Sequence, residues 1–133
     1  MEGISKIVSD GKLFAIIIKN NFRTQGIHFF TDDSDTQQVA YMQHDKGHII
    51  QNHYHNEIKR EVLFTKEVLV MKKGQLKCLF FDDKQNLIST QIIETGDVLV
   101  LIAGGHGFEC ISDVEMFEIK QGPYVGNEDK TRF

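Results

Sequence analysis

The chain has 133 residues, 41% of them hydrophobic and 26% charged, with a formal net charge of -4 at pH 7. That length and composition describe one ordinary globular domain, and the lack of any basic tract argues against a nucleic-acid partner. The longest apolar runs, "FAIII" and "VLVLIA", are far too short to cross a bilayer as helices, so no membrane partner is expected.

In chain order, short β-branched or aromatic runs alternate with turn residues. "KLFAIIIK" is followed by "NN", "GIHFF" by "TDDSDT", and "TQQVAYMQH" by "DKG". After an interval come "EVLVM" with "KKG", "QLKCLFF" with "DDKQN", and "LISTQIIE" with "TGD". "VLVLI" with "AGG", "HGFECI" with "SD" and "VEMFEIK" with "QG" complete the series. Runs of this length, closed by Gly, Asn and Asp, predict an all-β sandwich or barrel. Residues 57 to 66, "EIKREVLFTK", are the one place where helix or irregular loop competes with strand. The only proline is Pro123, and no linker or repeat divides the chain. It therefore reads as a single domain over 1–133, with N-terminal strands in 1–30, a core at about 36–120 and a tail at 121–133. Cys78 and Cys110 form no CxxC pair and are expected to be free, buried thiols. With an N-terminus unlike a secretory signal, they favour a reducing cytoplasmic setting.

Alternate residues of a strand share a face, and that parity singles out a set of polar side chains. In "QNHYH", taken as strand, His53 and His55 point the same way, with Gln51 beside them. Two imidazoles so placed lie about 7 Å apart at Cα, close enough to converge on one ion. Glu67 shares a face with Leu69 and Met71. Leu76, Cys78 and Phe80 line one side of their strand, and His106, Phe108 and Cys110 one side of theirs. If these faces point inward, the interior is apolar except for His53, His55, Glu67 and His106, the usual build of a small-molecule or metal site. Gln51, Phe80 and Phe108 are the candidate ligand-binding neighbours. His28, His44 and His48 lack partners at ligand spacing and read as surface or strand-edge groups.

These residues resemble the cupin superfamily, in particular small bacterial cupins of unassigned function. "GHIIQNHYH" fits the opening of the first cupin motif through Gly47, His53 and His55, and "EVLVMKKG" fits its close through Glu67 and Gly74. "GDVLVLIAGGHGFEC" looks like the second motif, with Gly96, Gly104 and His106, and "KQGPYVGNEDKTRF" looks like the tail of that group. The resemblance implies a cupin-type double-stranded jelly-roll β-barrel in which His53, His55, Glu67 and His106 hold a divalent metal: Zn, Fe, Mn, Ni or Co. The chain departs from the pattern in three places. Eleven residues, 56 to 66, separate His55 from Glu67, so Glu57 and Glu61 stand as nearer carboxylate candidates. Ile102 stands where a proline is expected, with the Gly104–His106 spacing one residue short, and Cys110 stands where the motif has asparagine.

The implied function is binding of, and action on, a small oxygenated molecule such as a sugar or sugar nucleotide, in an isomerase- or epimerase-like reaction. A metal-dependent oxygenase, a non-catalytic small-ligand-binding cupin and a metal-free structural barrel are the other readings, and fold alone does not separate them. A homodimer is expected, with "KLFAIIIK" covering an open sheet edge across a two-fold axis. The tail carries turn makers at Gly122-Pro123 and Gly126-Asn127, but also Tyr124, Val125 and Phe133. It either docks on the outside or folds over the barrel mouth, with Lys130 and Arg132 facing a ligand and Asp129 holding one of them.

Overall fold

A computed structural model describes every residue from Met1 to Phe133. Ten strands and no helix are present: β1 (Ile4–Ser9), β2 (Lys12–Ile18), β3 (Gly26–Phe29), β4 (Ala40–Gln43), β5 (Glu67–Lys73), β6 (Gln75–Phe81), β7 (Leu87–Glu94), β8 (Val98–Leu101), β9 (Gly105–Cys110) and β10 (Glu115–Lys120). All pairings are antiparallel. They build a five-stranded sheet in the order β1-β2-β8-β5-β10, a three-stranded sheet β7-β6-β9 and a separate β3-β4 hairpin. None of the three closes into a barrel.

The alternation in the sequence explains the layers. Ala15, Ile17, Leu69, Met71, Leu99 and Leu101 point from the five-stranded sheet into one core, where they meet Leu76, Cys78, Phe80 and Ile93 of the three-stranded sheet. The intervening residues Ile16, Ile18, Val68 and Val100 point to the opposite side. There Phe22, Phe30, Val39 and Tyr41 cover them, so the hairpin region forms a third layer. "FAIII" is a continuous apolar run because both of its faces are covered. It lies between β1 and β8 of its own chain, so it is an interior strand of this sheet and not the expected cover across a two-fold axis.

Asp10 and Gly11 link β1 to β2 with φ of 50° and 73°, the left-handed pair that a two-residue hairpin requires. Asp97, 1% exposed, fastens the other end of β2 to the β7–β8 turn. Its carboxylate accepts hydrogen bonds from Lys19 Nζ at 2.7 Å, the Asn20 amide at 2.9 Å and the Glu94 amide at 2.8 Å.

The "QNHYH" segment is not a strand. Between β4 and β5, residues 49 to 65 belong to no strand and make no backbone–backbone hydrogen bond. Residues 45 to 61 are all exposed, among them Ile49, Ile50, Tyr54 and Ile58. Reading it as strand puts His53 and His55 on one face, but parity supplies no partner for the backbone. A strand also needs a neighbour for its amides and carbonyls, and here none is alongside.

Candidate functional site

Glu67 is the first residue of β5 and His106 the second of β9, so the two reach each other from different sheets across one end of the sandwich. Both sit where parity predicted. Glu67 precedes Leu69 and Met71 on the core face, and His106 lies opposite Phe80 in the β6–β9 register. His106 Nε2 lies 3.5 Å from Glu67 Oε2, with the Glu67 side chain 11% exposed and that of His106 31%. A carboxylate this far removed from water needs a partner. The imidazole supplies it, and its long hydrogen bond is the largest influence holding Glu67 below the ordinary glutamate range. Burial opposes that shift, and the His106, Lys120 and Lys130 charges reinforce it.

Two cavities adjoin the pair, of about 570 Å³ and 670 Å³, a size that suits a small-molecule ligand. Phe64, Thr65, Glu67, Gly104, His106 and Phe133 border both. The His106 ring leans on Phe108, which lines the larger cavity, at 5.4 Å between centroids. The C-terminal tail thus lies at the cleft. The Phe133 ring packs edge-on to Phe81 at 5.0 Å and rests on Gly105, where a Cβ would come within 2.9 Å of it.

Other candidates stand apart from this pair. His53 and His55 are neighbours, with ring centroids 5.4 Å apart, but both lie on the exposed segment, as does Gln51, whose carbonyl is 2.8 Å from His53 Nδ1. No group of three or more His, Cys, Asp or Glu side chains is gathered for a metal ion. Of the three carboxylate candidates, Glu67 is the one beside His106, whereas Glu57 and Glu61 are exposed. Phe80, 1% exposed, is a core residue and borders neither cavity.

Cys78 is buried, and desolvation pushes its thiol up to about 12. Cys110 is exposed, contrary to expectation, because the end of β9 lies at the margin of its sheet. His28 packs against Phe22 and Phe30, and His44 stacks on His48 at 4.1 Å. Asp129 accepts a hydrogen bond from Thr65 Oγ1 at 2.9 Å and holds neither Lys130 nor Arg132. The Gly105 seat for Phe133 escaped the sequence reading, which took "AGG" as a turn only; the second glycine was the available signal.

The depressed carboxyl of Glu67 has a pH consequence. A group with a lowered folded-state pKa contributes stability that is present above its unfolded value, near 4.5, and lost as pH falls through the folded value. With chelator present, the stability difference between the wild type and Glu67→Gln should therefore shrink as pH drops below about 4.5. Urea denaturation at stepped pH reads this, and a difference that grows on acidification would contradict the pairing.

Compared with known proteins, the chain matches no family model, no curated protein and no solved structure.

Proposed function

We propose that this protein is a cupin-type metal-binding protein whose Glu67–His106 cleft takes a small oxygenated molecule, such as a sugar or sugar nucleotide, for an isomerase- or epimerase-like reaction. The observation that carries the reading is the 3.5 Å approach of Nε2 to Oε2. It is long for a hydrogen bond, which centres near 2.9 Å. It matches the edge of about 3.4 Å between two donors each bonded at about 2.1 Å to a tetrahedral ion. The pair therefore fits half of a mixed N/O donor set, and His53 and His55 would supply the other half. In this reading the exposed segment that carries His53 and His55 folds back toward the pair when the ion binds.

A bound divalent ion would polarise a carbonyl or hydroxyl of the ligand. The chain's own part is to position it. Phe108 and Phe133 offer apolar surface to a ring or carbon chain, and His106 and Glu67 would hold the ion that takes the ligand's oxygen.

Metal analysis of protein purified without an imidazole-eluted column tests the proposal. About one divalent ion per chain is expected, largely lost in His106→Ala and in the His53→Ala/His55→Ala double variant. Glu67→Gln should weaken metal binding by about tenfold or more, while Glu57→Gln and Glu61→Gln change little. A folded wild type that binds none of Zn, Mn, Fe, Ni or Co would overturn the metal reading. Loss in Glu61→Gln instead of Glu67→Gln would move the carboxylate ligand to the exposed segment.

A further inference from the structure

The last five residues place two cations at the cleft and leave both without a partner. Asp129 is tied to Thr65 and Phe133 is seated against Phe81 and Gly105, so the backbone between them is anchored at both ends. Thr131 and Phe133 border both cavities, whereas Lys130 and Arg132 border only the larger. Neither Lys130 nor Arg132 forms an ion pair. Other cations near the site are engaged: Lys12 with Asp83 at 2.7 Å, and Lys66 with the Ile102 carbonyl. The acidic groups of the larger cavity are engaged too, Asp129 by Thr65 and Glu67 by His106. Lys130 and Arg132 are therefore the charged side chains of that wall left without a hydrogen-bond or ion-pair partner.

We propose that Lys130 and Arg132 are the anion-recognition element of this cleft, holding a carboxylate or phosphate of the ligand while the rest of it reaches Glu67 and His106. The inference rests on the cleft being the ligand site, and it narrows the ligand to an anionic small molecule. Anchoring on both sides restricts the tail before a ligand arrives, which lowers the ordering cost of binding. A guanidinium also matches both oxyanions through paired N–H donors.

The test uses the full chain and two probes, inorganic phosphate and malonate, in titration calorimetry, with metal content measured on the same samples. The wild type should bind at least one probe, and the Lys130→Gln/Arg132→Gln double variant should bind it about tenfold or more weakly. Lys6→Gln/Lys46→Gln, an equal change of net charge at exposed positions elsewhere, should leave the affinity unchanged. Tighter phosphate binding would assign the anion to a phosphate ester, and tighter malonate binding to a carboxylic acid. Either supports the proposal. Absence of binding by the wild type, equal binding by Lys130→Gln/Arg132→Gln, or equal weakening by the control pair would overturn it. A wild type that carries no metal, yet loses anion binding in Lys130→Gln/Arg132→Gln, would sink the metal reading and leave the anion site standing.

Discussion

Gly104→Ala should cost about 3 kcal/mol or more and deplete the folded protein. Gly104 precedes β9 with φ +70°, and an added Cβ would run into the Phe81 carbonyl oxygen and the Phe14 ring. Left-handed backbone costs a non-glycine residue about 1–2 kcal/mol, and overpacking adds about 1–3 kcal/mol. Gly126→Ala separates the two contributions, because Gly126 has φ +74° with nothing within 4 Å of its Cβ position. It should lose only the backbone part. Urea denaturation of both variants gives the difference, and equal losses would mean that the Gly104 turn relaxes freely.

The second large effect belongs to Asp97. Alanine there removes the acceptor for two backbone amides and the Lys19 ammonium at once. The Lys19 side chain is 37% exposed and can recover water, so the principal cost lies in the two amides and the lost packing. The expected loss is about 3 kcal/mol, a large share of the roughly 5–15 kcal/mol that stabilises a typical domain. Asp97→Asn keeps one acceptor oxygen and should lose less. Denaturation midpoints check the order, and similar losses below about 1 kcal/mol for both substitutions would show that the carboxylate does not fasten β2 to the β7–β8 turn.

Much of the β architecture was legible because strand alternation is a local property. "EVLVM", "QLKCLFF" and "HGFEC" each declare an inner face, and β5, β6 and β9 put Leu69, Cys78 and Phe108 on it. Parity therefore nominated Glu67 and His106 as inward-facing polar groups, provided that these faces were the inner ones. β1 went unread because "ISKIVS" has weak alternation; its clue was Asp10-Gly11, a hairpin signal. Phe80 and Phe108 look alike in sequence, yet one is core and the other lines the cleft. Phe80 lies on β6, the central strand of its sheet, and Phe108 on the edge strand β9, a difference that no residue pattern encodes.

By itself, the sequence determined the all-β class, nine of the ten strands, the face each residue of β5 and β6 presents, and the nomination of Glu67 and His106. Only the tertiary structure decided that Glu67 and not Glu57 or Glu61 stands beside His106, that "KLFAIIIK" is an interior strand, and that Phe133 seats on Gly105 at the cleft. It also left His53 and His55 on an exposed segment, apart from the pair they were expected to join. The physical reason is the range of the interaction. Side-chain alternation is fixed between near neighbours in the chain. The pairing of a strand, the docking of a tail and the meeting of two side chains depend on partners tens of residues away, and no local pattern specifies which partner is taken.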